Sequence, residues 1–141
     1  QEVCPWNERF AEATGAPAYR ASQDLDGPSL LDLAESLLST DESGFRKTFK
    51  KSAIKRAKRS GFLRNICIAL GNWGAPAAVT TLLRALSDIE PLVRGHAAWA
   101  LGQIGSSSAR SALSERLSSE EDAWVKTEIS AALEIQDSSG L

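Results

Sequence analysis

The pattern of apolar and polar positions between residues 88 and 105 predicts one turn followed by one helix. Four apolar residues recur there at steps of three and four: Val93, Ala97, Ala100 and Ile104. Asp88 is suited to cap the start of this helix, Pro91 to its first turn, and Gly102 and Gly105 to its far end. Further alanine and leucine residues widen the apolar face almost to the whole circumference, so neighbouring helices must cover both flanks.

The same pattern recurs along the chain. Residues 69–74 match residues 100–105 at an offset of 31, and residues 79–86 precede residues 110–117 by the same offset. Residues 124–126 repeat residues 92–94 at an offset of 32. A period near thirty with two helices per unit is typical of an α-solenoid. The sequence therefore predicts an all-α solenoid of about three helical-hairpin repeats, preceded by an irregular N-terminal segment.

The pattern predicts shorter elements before the repeats. A helix is expected over residues 29–39, and Ser39 or Thr40 is expected to cap the short helix that follows. Phe45 and Phe49 lie four apart and are expected to face the core. The inner helix of the first repeat is predicted over residues 62–73, with Cys67 as a small core residue within it. The tryptophans at 73, 99 and 124 are interpreted as packing residues.

Charge is strongly segregated, although the net charge is only −2. Residues 43–87 carry ten Lys or Arg and no acid, whereas nine acids lie on each side, in residues 1–42 and 88–141. Such a block predicts a polyanionic partner that is bound at one place, and phosphate contact is favoured over the alternative of a solvated helix surface. No apolar run reaches transmembrane length and no signal peptide is recognised, so a cytoplasmic protein without a membrane partner is expected.

Two resemblances add to this interpretation. The sequence motif Asp-x-x-x-x-Val-Arg, followed by Ala-x-x-Ala-Leu-Gly-x-Ile-Gly, resembles a HEAT-like repeat. Together with Gln-Glu-Val-Cys-Pro-Trp-Asn at residues 1–7, the basic stretch that begins at Gly44, and residues 62–72, it resembles the C-terminal third of epoxyqueuosine reductase. The resemblance extends over residues 1–136.

This resemblance carries expectations of its own. The family is a cobalamin- and iron–sulfur-dependent oxidoreductase that reduces epoxyqueuosine to queuosine at the tRNA wobble position. The resemblance implies that Cys4 is a ligand of a [4Fe–4S] cluster and that residues 1–10 are the remnant of a ferredoxin-like domain. Residues 11–28 would be a connector, 29–136 the HEAT-like repeat domain, and 137–141 a frayed tail.

The resemblance also implies the role of this chain. It would bind the tRNA anticodon stem-loop as a monomer, beside N-terminal domains of the same protein that carry cobalamin and the chemistry. The chain alone would bind no cofactor and would hold no catalytic residue. The residues predicted to contact RNA are Lys47, Lys50, Lys51, Lys55, Arg56, Arg59, Arg64, Asn65, Arg94, His96 and Lys126.

Four of these predictions depend on helix position. Arg64 and Asn65 are placed at a helix start, where unpaired N–H groups favour anions. Arg94 either pairs with an acid of the adjacent repeat or contacts RNA, and Lys126 repeats its position, so that Arg64, Arg94 and Lys126 would form a ladder along one rim. His96 has no Cys, Asp or Glu at ligand spacing, so a polar or RNA-contacting role is preferred to a metal role.

The alternative class is a HEAT-like protein–protein interaction module related to phycobilin lyases. That alternative predicts an acidic protein partner and no steep salt dependence of RNA affinity. An independent hydrolase or metalloenzyme is disfavoured, because the chain has a single His and contains neither Cys-x-x-Cys nor Gly-x-Ser-x-Gly.

Overall fold

The computed structural model describes residues 30–138, and these residues form helices without any strand. The seven α-helices are α1 (Leu30–Leu38), α2 (Glu42–Thr48), α3 (Lys58–Trp73), α4 (Val79–Ala85), α5 (Pro91–Ile104), α6 (Ser107–Ser119) and α7 (Ala123–Ser138). Short 3₁₀ helices, Ala53–Ala57 and Pro76–Ala78, precede α3 and α4. The all-α prediction is confirmed. Cys4, the segments 1–10 and 11–28, and the end of the tail lie outside the described residues.

The helices pack as a two-layered solenoid. Helices α3, α5 and α7 lie side by side in one layer, while α4 and α6 pack against α5 from the second layer. Leu70 of α3 and Leu101 of α5 are both fully buried, as their equivalent repeat positions predict. Each of these two helices ends at a glycine with φ of 68°, Gly74 or Gly105, whose N–H donates to the carbonyl oxygen of that leucine. The repeat seen in the sequence is therefore a repeat of structure.

The two glycines of each Gly-x-x-Gly ending do different work. Gly105 caps α5, as predicted, but Gly102 lies inside the helix and is buried. A Cβ on Gly102 would lie 2.8 Å from the Cβ and 2.9 Å from the Cα of Ala132 in α7. The prediction that Gly102 helps to close the helix was wrong: it lets α7 approach the α5 backbone closely, and Gly71 does the same for α3 against Ala100.

The predicted aromatic anchors of α2 are confirmed. Phe45 and Phe49 are buried, and their ring centroids lie 6.1 and 5.7 Å from that of Phe62 in α3. The capping residue differs from the prediction, because the hydroxyls of Ser39 and Thr40 bond back to carbonyl oxygens of α1.

Asp41 caps α2 in their place. Its Oδ1 accepts a hydrogen bond of 2.7 Å from the Gly44 N–H, and this bond is the main cause that lowers the pKa of Asp41. A carboxylate satisfies the free N–H groups of the first turn and interacts favourably with the helix dipole.

Two other helix starts differ from the sequence prediction. Helix α3 begins at Lys58 rather than at residue 62, so Arg64 and Asn65 lie well inside it and have no free N–H groups beside them. The N-cap of α5 is Glu90 rather than Asp88. Asp88 is instead buried, and its carboxylate accepts from the Glu90 N–H at 3.0 Å. None of the helices within residues 30–138 has the length and apolar character needed to cross a bilayer.

Candidate nucleic-acid interface

The feature that stands out is a run of exposed cations between α2 and α3, which we call the basic segment (residues 46–58). It includes the end of α2, a turn, the 3₁₀ helix Ala53–Ala57 and the first residue of α3. Its seven charged side chains are all basic and all exposed: Arg46, Lys47, Lys50, Lys51, Lys55, Arg56 and Lys58. Within residues 30–138, none of the seven forms an ion pair.

The local fold directs these cations outward. Phe45 and Phe49 bury the apolar side of α2, and the half-buried Ile54 packs against the same core. The Ser52 hydroxyl accepts from the Ile54 N–H at 3.2 Å and caps the 3₁₀ helix. Lys58, at the junction with α3, has a positive φ of 59°, which is uncommon for a residue with a side chain. The apolar residues thus face the core and leave the charged ones on the surface.

Seven like charges within thirteen residues produce a concentrated positive potential. The screening length at physiological ionic strength is about 8 Å, so the fields of neighbouring cations in this segment overlap. Arg46 and Lys47 in the last turn of α2 also interact favourably with the negative end of the helix dipole. The arrangement suits phosphate groups, which lysine binds as a point charge and arginine binds with two donors.

Arg59 is a correction to the predicted RNA contacts. The residue is only 7% exposed, and both Nη atoms donate to the Asp88 carboxylate, at 3.1 and 2.5 Å. Its Nε donates to the carbonyl oxygen of Leu37 at 3.1 Å. The guanidinium therefore connects α1, α3 and the start of the α5 repeat inside the protein, and it has no surface to offer a phosphate.

Arg94 is likewise withdrawn from the surface, which decides between its two predicted roles. It is 8% exposed, and its Nε and Nη2 donate to Glu120 at 2.8 and 2.7 Å. Its Nη1 donates to the carbonyl oxygens of Asp88 and Ile89 at 2.9 and 3.0 Å. Arg94 pairs with an acid beside the next repeat, so the predicted ladder of Arg64, Arg94 and Lys126 lacks its middle member.

The remaining predicted contacts lie away from the basic segment in sequence. The half-buried Arg64 donates from Nε and Nη2 to the side-chain oxygen of the exposed Asn65, at 3.1 and 2.9 Å. Lys126 is exposed on α7. The Nδ1 of His96 lies 2.9 Å from the carbonyl oxygen of Leu92, and no cluster of potential metal ligands occurs among the described residues.

The structure adds two cations that the residue predictions omitted and confirms one core residue. Arg46 and Lys58 lie in the same exposed segment, and the charge run itself was the signal that could have included them. Cys67 is buried, as predicted, and burial, with the nearby Asp88 charge, raises the pKa of its thiol to about 12. That thiol is therefore protonated and inert at neutral pH.

Comparison with known proteins defines the class. The family described as HEAT repeats matches residues 51–134, which include α3 to α6 and most of α7. The chain therefore belongs to the HEAT-repeat family, in agreement with the two-layered helical fold.

The chain is similar to part of several epoxyqueuosine reductases. An epoxyqueuosine reductase of Xanthomonas campestris is 39% identical over 106 residues, which is 74% of this chain and 28% of that protein. The Escherichia coli epoxyqueuosine reductase is 34% identical over 103 residues, 73% of this chain and 26% of that protein. The chain thus spans little more than a quarter of the length of these relatives. The resemblance to epoxyqueuosine reductases seen in the sequence is confirmed.

Solved structures agree. A crystal structure of epoxyqueuosine reductase with an epoxyqueuosine-modified tRNA-Tyr stem loop aligns with a TM-score of 0.80 and 27% identity, over 97% of this chain and 36% of that one. The Bacillus subtilis epoxyqueuosine reductase aligns with a TM-score of 0.78 and 27% identity, over 96% of this chain and 35% of that one.

Proposed function

We propose that this chain is the tRNA-binding C-terminal part of an epoxyqueuosine reductase and holds the anticodon stem-loop while the wobble base is reduced elsewhere in the protein. The observation that carries the proposal is the basic segment, whose seven exposed cations form no ion pair with an acid within residues 30–138. The similarity to an epoxyqueuosine reductase that was crystallised with a tRNA stem loop supports the choice of ligand.

The basic segment would fix position rather than sequence. Contacts to phosphates set the register and orientation of a nucleic acid but carry little information about its bases. A rigid scaffold is needed for that task, and α2 and α3 provide one because Phe45, Phe49 and Phe62 pack together beneath the segment. The wobble nucleotide could then be presented to chemistry on another domain.

The chemistry is assigned to other parts of the full-length protein. In this proposal, the [4Fe–4S] cluster, with Cys4 as one ligand, and the cobalamin carry the chemistry of the full-length protein. The protonated, buried Cys67 suits a structural role. We also propose that the protein is a monomer and is located in the cytoplasm.

Arg59 and Arg94 are left out of the proposed interface because their guanidinium groups are already bonded inside the protein. Arg64 and Asn65 stay as proposed contacts at its edge, since Asn65 is exposed and lies on α3, the helix that continues from the basic segment. His96 lines a different surface feature, which is described below, and Lys126 is exposed on α7.

We expect an anticodon stem-loop to bind with a salt dependence that the basic segment sets. With three to five phosphate contacts, log affinity against log salt should have a slope of about −2 to −4. The variant Lys55→Gln/Arg56→Gln should bind more weakly, with a slope shallower by about 1 to 2, because each lost contact removes about 0.7 to 0.9. Fluorescence anisotropy at several salt concentrations measures both values.

The matched control removes the same charge from a different place. Arg84 and Arg110 are exposed and form ion pairs with Glu35 and Asp137. The variant Arg84→Gln/Arg110→Gln should keep the wild-type slope, and circular dichroism should show unchanged helix content in both variants. Equal slopes for the wild type and Lys55→Gln/Arg56→Gln would mean that the basic segment is only a solvated surface and does not contact the RNA.

A further inference from the structure

A second surface feature is an aromatic notch where the three inner helices meet. It is lined by Ile68 of α3, His96 and Trp99 of α5, and Trp124 and Glu128 of α7, and it has a volume of about 270 Å³. This volume lies just below the usual range of about 300–1,000 Å³ for small-molecule sites, so it suits a single side chain or a group of that size. None of the proposed RNA contacts on the basic segment lines it.

The two indoles of the aromatic notch are held in place by glycines. A Cβ on Gly95 would come within 2.4 Å of two ring atoms of Trp124, and a Cβ on Gly71 within 2.7 Å of Trp99. The benzene edge of each indole therefore packs directly against the backbone of a glycine. Trp124 nevertheless keeps 41% of its surface exposed. The sequence prediction that this tryptophan serves packing explains only one edge of its ring.

The polar groups of the aromatic notch are acceptors. A carbonyl oxygen can only accept, so the contact of 2.9 Å to the Leu92 oxygen assigns the proton of His96 to Nδ1 and, in the neutral ring, leaves Nε2 as an acceptor. The His96 and Trp124 ring centroids are 5.6 Å apart. The half-buried Glu128 carboxylate has no hydrogen bond or ion pair with any other described residue.

We propose that the aromatic notch binds an arginine side chain from a positively charged stretch of a partner protein. A guanidinium can stack on an indole face through cation–π attraction while its N–H groups donate to a carboxylate. The exposed face of Trp124, the Glu128 carboxylate and the His96 Nε2 supply the matching groups within one cavity. Lysine fits less well, because its ammonium is compact, strongly hydrated and unable to stack.

Charge selects a basic protein segment over RNA as the occupant. Residues 121–128, at the start of α7, carry three acids and one base. Phosphates that approached this helix would meet net negative charge, whereas a basic peptide would be attracted. The proposal does not rest on RNA binding by the basic segment, and the two can fail independently.

The test is a titration of the 141-residue chain with a blocked peptide, Gly-Gly-Arg-Gly-Gly, followed by NMR of the ¹⁵N-labelled indole N–H groups. We expect saturable shifts of Trp99 and Trp124, no shift of Trp73, and weaker binding of the same peptide with Lys in place of Arg. Trp73 is the internal reference because it is 57% exposed and lies outside the aromatic notch. An anticodon stem-loop should leave the Trp99 and Trp124 signals in place.

Two charge-matched variants decide the role of the carboxylate. Glu128→Gln should lower the affinity for the arginine peptide about tenfold, the expected effect of losing hydrogen bonds to a charged group. Glu121→Gln removes an exposed acid just before α7 and should change the affinity less than twofold, within the small effect of a screened surface charge. Neither substitution changes side-chain size.

Several outcomes would overturn the proposal. Absence of saturable binding would do so, as would equal losses in Glu128→Gln and Glu121→Gln, which would indicate general electrostatic attraction. Shifts of Trp99 and Trp124 with the stem-loop but not with the peptide would make the aromatic notch an RNA surface instead.

Discussion

Replacing Arg94 with alanine is expected to lower the free energy of unfolding by about 3 kcal/mol. Breaking a buried ion pair usually costs about 3–5 kcal/mol, because one charge is left without its partner. The lower end applies here because Glu120 would keep Arg116, which donates to the same carboxylate at 3.0 and 2.9 Å. The carbonyl oxygens of Asp88 and Ile89 would also lose their donor. Urea unfolding at pH 7, followed by circular dichroism, measures the change.

The dependence of stability on pH provides a second test of the ion pair between Arg94 and Glu120. Hydrogen bonds from Arg94 hold the pKa of Glu120 well below its ordinary value of 4.5. A lowered pKa in the folded state means that the stabilisation is complete above about pH 4.5 and is lost as the pH falls below it. The Arg94→Ala variant should therefore lose less additional stability on acidification than the wild type does.

The exposed ion pair of Arg110 with Asp137 is the control for Arg94. Such surface pairs contribute about 0–1 kcal/mol, so Arg110→Ala should stay within that range. If Arg94→Ala were no more destabilising than Arg110→Ala, the buried network described here would be wrong.

Replacing Leu101 with alanine is the second change with a large expected effect. Leu101 is completely buried in α5, which packs against α3, α4, α6 and α7, so the cavity would open at the centre of the solenoid. Large-to-small changes at such sites cost about 2–5 kcal/mol, because lost burial adds to the cost of a cavity. The expected result is a lower urea midpoint with nearly unchanged m-value.

Ile89 offers a matched control, since it is a large aliphatic residue that is 85% exposed in the turn before α5. Ile89→Ala should change stability by less than about 0.5 kcal/mol, as surface substitutions usually do. A loss for Leu101→Ala as small as that for Ile89→Ala would mean that the repeats were aligned incorrectly.

The repeat and its core were readable from sequence because they depend on local periodicity. Leu70 and Leu101 lie in equivalent buried positions, and the caps Gly74 and Gly105 fall where the repeated pattern ends. The family resemblance could be recognised for the same reason, since the sequence motifs that carry it are short and contiguous.

The fates of individual charges were not readable, because they depend on distant partners. Arg59 lies in the same run as Lys55 and Arg56, yet it is buried because Asp88, 29 residues later, meets it with two oxygens. For Arg94 the sequence left two roles open, an ion pair with the adjacent repeat or an RNA contact, and the structure pairs it with Glu120, 26 residues later. The packing of Trp124 depends on Gly95, whose missing side chain makes room for one edge of the ring.

The central claim is that RNA lies on the basic segment, and lysine footprinting tests it most directly. Five of the six lysines of the chain lie in that segment, and the sixth, Lys126, lies on α7; all six are exposed. Brief acetylation with and without a saturating anticodon stem-loop, followed by peptide mass spectrometry, reports each lysine separately. We predict that RNA slows the acetylation of Lys50, Lys51 and Lys55 several-fold and leaves Lys126 unchanged. Protection of Lys126 without protection of the basic segment would contradict the account.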